Sequence, residues 1–249
     1  MKNDRQASGK QRESRRRRLL KATLITVAVI AAVRLALPYV VLHFANNSLA
    51  KMDGYYGKIR DIDLALLRGA YRIDSIFINK IDSVTHKETP FFSASVVDLS
   101  VEWKALLNGS VVGEATFINP RLRFTKDKVE PDDVRKDSSQ FKKLQDDFMP
   151  LKVNRFEIRN GHIQYIDENS NPPVDVSLTS ANIIGLNLRN SYDSTNSLLP
   201  ATIKGHANVY EGTLDLSMKL NPLAEVPTFD MNAELANTNL VNLNDFFKA

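Results

Sequence analysis

The chain contains no cysteine. This absence excludes disulfide bonds and thiolate metal sites, and it is compatible with any cellular compartment, including an oxidising one. The 249 residues allow one or two ordinary domains, and a hydrophobic content of 43% is sufficient for a substantial core.

The patterns that usually mark catalytic sites are also missing. The chain has no His-Glu-x-x-His, no phosphate-binding glycine loop and no Gly-x-Ser-x-Gly. Asp61, Asp63 and Asp74 could suggest paired carboxylates, but we expect them beside turns, where aspartate is common. The four histidines are far apart in the sequence: His43, His86, His162 and His206. The sequence therefore predicts a protein that is not an enzyme and has no cofactor or metal ion.

Excess positive charge is confined to the start of the chain. Residues 1–21 contain nine Lys or Arg against Asp4 and Glu13, a net charge of +7. The rest of the chain therefore carries 4 − 7 = −3. The basic cluster consists of Arg15, Arg16, Arg17 and Arg18. Because residues 1–18 are polar and can bury little surface, we predict a disordered basic tail.

A long apolar segment follows the basic tail. Residues 22–45 are 24 in number, and a membrane-spanning helix needs about 20. Arg34 in the middle costs roughly 2.5–3.5 kcal/mol, whereas the twelve Leu, Ile, Val and Phe residues return roughly 4–7 kcal/mol. We therefore predict a transmembrane anchor over residues 19–45. A membrane rather than a nucleic acid is then the expected partner of the arginine cluster, which predicts a cytoplasmic N-terminus.

A cleaved signal peptide is the competing interpretation of this segment. Its apolar core would be residues 22–33. No small-x-small cleavage site follows that core, since Arg34 comes at once and further apolar residues follow. The pattern favours an uncleaved anchor, with the body of the chain outside the cytoplasm.

The dominant hydrophobic period beyond residue 46 is two, which is typical of β-strands. We predict about eleven strands and one or two short helices. One helix is expected within residues 138–148, where Phe141, Leu144 and Phe148 form a stripe, and one near the C-terminus. Besides the two hairpins described next, the predicted strands are 56–64, 69–80, 91–103, 109–118, 120–126, 174–189 and 227–236.

Two turn signals predict hairpins. Asn160-Gly161 is a strong two-residue turn, which would place Phe156 opposite Tyr165. Glu211-Gly212 would place Val209 opposite Leu214. The second hairpin then has one polar face and one apolar face. Its apolar face contains Ile203, Ala207, Val209, Leu214, Leu216, Met218 and Leu220.

One pattern occurs twice, forty residues apart. "ALLRGAYRIDSIFIN" begins at Ala65 and "ALLNGSVVGEATFIN" begins at Ala105. Each copy reads as a strand end, a glycine turn and a new strand, so we expect the same turn and register to be used twice. A repeated unit favours an elongated antiparallel sheet that grows by adding hairpins. Two similar hairpins within one β-sandwich would produce the same pattern.

The apolar face of the second hairpin leaves two functional hypotheses open. It could pack against a second sheet, giving a closed sandwich that acts as an anchored scaffold and recruits envelope proteins by β-augmentation at a sheet edge. It could instead line an open trough that holds lipid acyl chains. The period is the same in both cases.

The chain also resembles a protein family along its whole length after the anchor. The stretches "SLAKMDGYYGKIRDIDLALLRGAYRIDSIFINK", "PFFSASVVDLSVEWKALLNGSVVGEATFINPRL" and "LKVNRFEIRNGHIQYID" are similar to the AsmA-like superfamily of bacterial envelope proteins, in a branch known only as a domain of unknown function. The resemblance implies an inner-membrane helix and a periplasmic groove of β-strands, over residues 46–249, with a role in phospholipid transport and envelope homeostasis. Relatives usually continue with further strands, so we expect a truncated chain or one part of an assembly.

Overall fold

The computed structural model describes residues 3–52, 54–65, 69–82, 85–101, 112–125, 152–168, 170–188, 198–221, 228–239 and 241. The chain divides into two units, Met1–Phe44 and Ala45–Ala249. As the sequence predicts, the fold is mainly β. The described residues form one N-terminal apolar helix and a large sheet of ten strands, one fewer than the eleven expected.

Helix α1 runs from Asn3 to Leu49. Its part from Leu19 to Leu49 has 31 residues and contains an 18-residue stretch with a mean hydropathy of 2.2, so its length and composition suffice to cross a membrane. The hydroxyls of Thr23 and Thr26 each donate a hydrogen bond of 2.9 Å to the carbonyl four residues earlier. These polar groups are therefore satisfied inside the helix, as a lipid environment requires.

Residues 3–18 continue this helix, although the sequence predicts a disordered tail there. The physical reason lies in the neighbouring apolar segment. Extending an existing helix avoids the cost of nucleating a new one. Lys, Arg, Gln and Glu are also good helix formers, so the basic composition does not oppose the extension.

The ten strands belong to a single sheet of mixed direction. Its spatial order is β1-β2-β3-β4-β6-β7-β8-β9-β10, and β5 lies beside β3 and β6. The strands are β1 (Tyr55–Ala65), β2 (Ala70–Ile81), β3 (Glu88–Val101), β4 (Val112–Ile118), β5 (Arg121–Thr125), β6 (Lys152–Asp167), β7 (Val174–Leu186), β8 (Ala201–Val209), β9 (Gly212–Asn221) and β10 (Thr228–Ala236).

The sheet is not wholly antiparallel, which corrects one part of the prediction. Strands β4 and β5 together act as one interrupted strand between β3 and β6, and both pair with β6 in parallel. Parallel neighbours need a crossover connection, and the long stretch between β5 and β6 provides one. The helix predicted at 138–148 falls in this stretch and lies outside the described residues.

The predicted hairpin at Asn160-Gly161 is wrong. Strand β6 passes straight through these two residues, and its register with β7 shifts on either side of Gly161. Asn160 has a φ of 53°, so the left-handed residue makes a bulge inside a strand rather than a turn. Phe156 therefore lies opposite Gly185, and Tyr165 lies opposite Val176.

The repeated pattern does not use one register twice. In the first copy, Ser75 has a φ of 58°, and its bulge moves Phe77 to the polar side, beside Tyr56. In the second copy the equivalent residue, Ala115, is a buried strand residue, and Phe117 contacts Phe156 on the apolar side. One bulge therefore sends the two equivalent phenylalanines to opposite faces.

All strands of the described part of the chain join this one sheet, so the described residues contain no second sheet packed against it. The described strands are therefore not divided between two separate sheets, as the sandwich hypothesis expected.

Candidate functional site: the apolar face of the sheet

One side of the sheet is apolar from the first strand to the last, and we call it the apolar face. It follows from the register, because residues paired across antiparallel strands share a face. Ile62 pairs with Ile73, and Ile73 pairs with Val97. At the other end, Leu216 lies between Gly205 and Ala233. The apolar face therefore extends over all ten strands.

The hairpin of β8 and β9 forms as predicted, but its pairing is displaced by two residues. Tyr210 and Glu211 make the turn, and Val209 pairs with Gly212 rather than Leu214. Tyr210 supplies the left-handed conformation with a φ of 51°. A displacement of two keeps every side chain on its predicted face, because the strand period is two.

Gly212 lies in β9 rather than in the turn, and its position leaves no room for a side chain. A Cβ atom on Gly212 would overlap Thr238 Oγ1 and the carbonyl oxygen of Ala236. The segment after β10 therefore passes against Gly212, so a residue without a side chain is needed at the first position of β9.

The seven candidate lipid-facing residues all lie on the apolar face, but they differ in exposure. Ala207 and Val209 are buried, at 5% and 3% exposure. Such side chains are core residues and cannot contact a ligand without rearrangement. The other five candidates are half-buried: Ile203, Leu214, Leu216, Met218 and Leu220.

Strand β10 contains the most exposed apolar side chains of the sheet. Phe229, Met231 and Leu235 are exposed by 56%, 51% and 47%. They pair with Leu220, Met218 and Leu214 of β9, so they continue the apolar face to the last strand. The sequence predicts strand 227–236 but does not single out these residues as part of the site. Their alternation with Asp230, Asn232 and Glu234 was the signal that could have found them.

Aromatic side chains occupy the middle of the apolar face. The rings of Phe92 and Phe117 meet at 6.1 Å in an edge-to-face arrangement, and Phe117 and Phe156 are 5.4 Å apart. These three residues come from β3, β4 and β6. The contacts hold the interrupted strand against both of its neighbours.

The opposite side, which we call the polar face, contains most of the charged residues. Asp61, Asp63 and Asp74 lie inside β1 and β2, not beside turns as expected. Arg72 Nε bonds Asp74 at 3.2 Å, and this pair contributes little because both groups are exposed to water. Asp74 is therefore one partner of a weak ion pair on the surface of the sheet.

Glu157 on β6 is the centre of the tightest charged cluster on the polar face. Its carboxylate accepts hydrogen bonds from Arg159 Nε at 2.7 Å and from Arg155 Nη2 at 3.1 Å. The hydrogen bond to Arg159, and to a smaller extent the one to Arg155, lowers the pKa of Glu157 below its ordinary value of 4.5. The same carboxylate raises the pKa of Arg159. The two arginines stabilise the negative charge of Glu157, and the carboxylate is not free to act as a nucleophile or a base.

The histidines do not come together. His162 and His206 lie on the polar face, and His206 Nδ1 is 2.8 Å from Asp215 Oδ1. His43 belongs to α1, and His86 follows β2. In the described part of the chain, no group of three His, Asp or Glu residues could hold a metal ion.

The two edges of the sheet differ. At β1, the side chain of Asn46 accepts a hydrogen bond from the Ile59 amide at 2.6 Å and donates one to the Ile59 carbonyl at 3.0 Å. Asn46 therefore covers part of this edge as a partner strand would. Strand β10 is the last strand at the other edge of the described sheet.

Comparison with known proteins assigns no family. No family model matches the chain. No curated protein matches it either.

Proposed function

We propose that this protein is a membrane-anchored lipid-handling module whose apolar face contacts acyl chains. The observation that carries this proposal is the row Phe229, Met231 and Leu235, which is about half exposed on a strand whose alternate residues are polar. Contiguous exposed apolar surface in proteins marks binding to a protein, a ligand or a membrane. Helix α1 supports a lipid as the ligand, because its length and composition suffice for an anchor that would keep the sheet at a membrane.

The exposed end of the apolar face supports acyl chains as the ligand. An acyl chain needs an apolar surface and makes no directional bonds, and β10, with the half-buried apolar residues of β9 beside it, offers such a surface. The polar face agrees with the same proposal, since sheets with many antiparallel pairs commonly have one apolar face and one face in contact with water. The resemblance to AsmA-like proteins agrees with phospholipid transport in the cell envelope.

The orientation in the membrane is part of the proposal. We place the N-terminus in the cytoplasm, because Arg15, Arg16, Arg17 and Arg18 precede the apolar segment, and the sheet in the periplasm of a bacterial envelope. A reporter enzyme fused after residue 249 should be active only outside the cytoplasm. A soluble product starting near Arg34 or Asn46 would instead identify a cleaved signal.

Photo-crosslinking in cells tests acyl contact. A photoreactive amino acid at Met231 should capture phospholipid, because Met231 is exposed on the apolar face. The same amino acid at Asn232, on the polar face of the same strand, should capture none. Equal capture at both positions, or none at Met231, would refute the proposal.

A second candidate is an anchored scaffold that recruits other envelope proteins. The observation in its favour is the difference between the edges, because Asn46 covers β1 whereas β10 ends the described sheet. A strand added beside β10 would use β-augmentation. Crosslinking of a protein rather than lipid at Met231 would favour this candidate.

A further inference from the structure

The polar face contains a second feature that the proposed function does not use. Several strands place two consecutive residues, instead of one, between neighbours on the apolar face. These pairs lie directly opposite one another on β1, β2 and β3, whereas the pairs on β6 and β7 are displaced from each other along the strands. We call this set of pairs the seam. It contains Arg60-Asp61, Asp74-Ser75, Ser95-Val96, Arg159-Asn160 and Thr179-Ser180.

The backbone is left-handed at four points along the seam. Ser75, Asn119, Asn160 and Ser180 all have a φ between 50° and 58°, a conformation that residues with side chains seldom adopt. Asn160 Nδ2 donates a hydrogen bond of 2.7 Å to Asn119 Oδ1 across two strands. Such strain persists where the surrounding structure enforces it, and it is concentrated at functional sites.

The seam contains a pocket of about 660 Å³. Five of the thirteen lining residues carry hydroxyl groups, and the lining comes from β2, β3, β5, β6 and β7 and from the junction of β4 with β5. Among the described residues, the side chains of Ser75, Ser93, Thr179 and Ser180 have no hydrogen-bond partner. The pocket therefore offers several unused donors within one concavity.

The charge of the lining is positive. Arg121 and His162 are adjacent in the parallel pairing of β5 with β6, and the pocket lining contains no carboxylate. Elsewhere on the polar face Arg72, Arg155 and Arg159 are each paired with an acid. Arg121 has no ion-pair partner in the described part of the chain.

Arg123 adds to this imbalance. It lies two residues beyond Arg121 on the same face of β5, and its Nε is buried with no hydrogen-bond partner among the described residues. Two cations on one short strand thus lack the carboxylates that neutralise their neighbours. A ligand with negative charge would provide that compensation.

We propose that the seam pocket binds a phosphoryl group. An arginine, a histidine and several hydroxyl donors around a concavity fit an anion with several acceptor oxygens, and phosphate esters have that chemistry. The pocket lies on the polar face, so one lipid cannot fill it while lying on the apolar face. This inference therefore stands independently of acyl contact.

Calorimetric titration of the full chain in detergent micelles tests the inference with two probes. Glycerol 3-phosphate represents a soluble phosphate ester, and dihexanoyl phosphatidylglycerol represents a lipid headgroup. Binding of either probe should be weakened about 10- to 100-fold by Arg121→Gln, because a charged hydrogen bond is lost. Thr179→Ala should weaken binding of the same probe. The probe that binds shows whether the phosphoryl group belongs to a soluble phosphate ester or to a lipid headgroup.

Lys219→Gln is the matched control, because it removes one exposed positive charge from the polar face at β9, outside the pocket. The Lys219→Gln variant should bind the probe with the same affinity as the unchanged protein. Met231→Asn should also leave the Arg121-dependent binding intact, which separates this site from the apolar face. Failure of both probes to bind, or equal losses in Arg121→Gln and Lys219→Gln, would overturn the inference.

Discussion

The side chain of Asn46 bonds both backbone groups of Ile59, with Oδ1 accepting at 2.6 Å and Nδ2 donating at 3.0 Å. A single amide thereby completes the hydrogen bonding of one residue at the edge of the sheet. It also connects the C-terminal end of α1 with β1 inside the unit Ala45–Ala249.

Replacing Asn46 should destabilise the sheet. Asn46→Ala removes two hydrogen bonds and leaves the Ile59 backbone groups with water only, so we expect a loss of about 1–3 kcal/mol in the free energy of unfolding. Urea titration followed by circular dichroism measures it. Asn47→Ala is the control, since Asn47 is exposed and should be neutral. Equal midpoints for the two variants would contradict this role of Asn46.

Two glycines on the same hairpin should respond differently to a methyl group. Gly212→Ala would force a Cβ against Thr238 and Ala236, and overpacking of this kind costs about 1–3 kcal/mol. Gly205→Ala would meet Ile183 Cγ1 at 3.4 Å and Leu216 Cβ at 3.8 Å, which are ordinary contacts. The same urea titration should show a loss for Gly212→Ala alone. A tolerated Gly212→Ala would mean that the segment after β10 lies elsewhere.

The Glu157 cluster should make stability depend on acid pH. Because Arg159 and Arg155 lower the pKa of Glu157, its charged form is favoured in the folded state. Its contribution is complete above the ordinary pKa of 4.5 and is lost as the pH falls through the lowered pKa. Thermal unfolding between pH 7 and pH 3 should show a smaller acid-induced loss for Glu157→Gln. Parallel pH profiles would contradict the cluster.

Engineered cysteines can distinguish a bulge from a hairpin at Asn160-Gly161, because the chain has no cysteine of its own. Gln164 lies opposite Ser177 in β7, so Gln164→Cys with Ser177→Cys should form a disulfide under mild oxidation. A hairpin would instead place Gln164 opposite Glu157. Gln164→Cys with Glu157→Cys should therefore remain reduced, and a reversed result would restore the hairpin.

The sequence predicted the strands and the two faces well, because a period of two is a local property. It misjudged Asn160-Gly161 and Gly212, since a residue suited to positive φ or to close approach fits a turn, a bulge or a crowded strand equally. The exposure of Met231 and the burial of Val209 depend on which residues pack nearby. The two-residue hydrophobic period carries no information about those contacts. The seam was invisible because it joins left-handed residues from distant parts of the chain.

Quenching of tryptophan fluorescence by brominated lipid tests acyl contact most directly. A single tryptophan is placed at residue 231 or 232 after replacing Trp103 by Phe, and the full chain is reconstituted with phospholipid brominated in its acyl chains. We predict strong quenching for Met231→Trp and little for Asn232→Trp, because only residue 231 lies on the apolar face. Equal quenching at the two positions, or none at residue 231, would contradict the account.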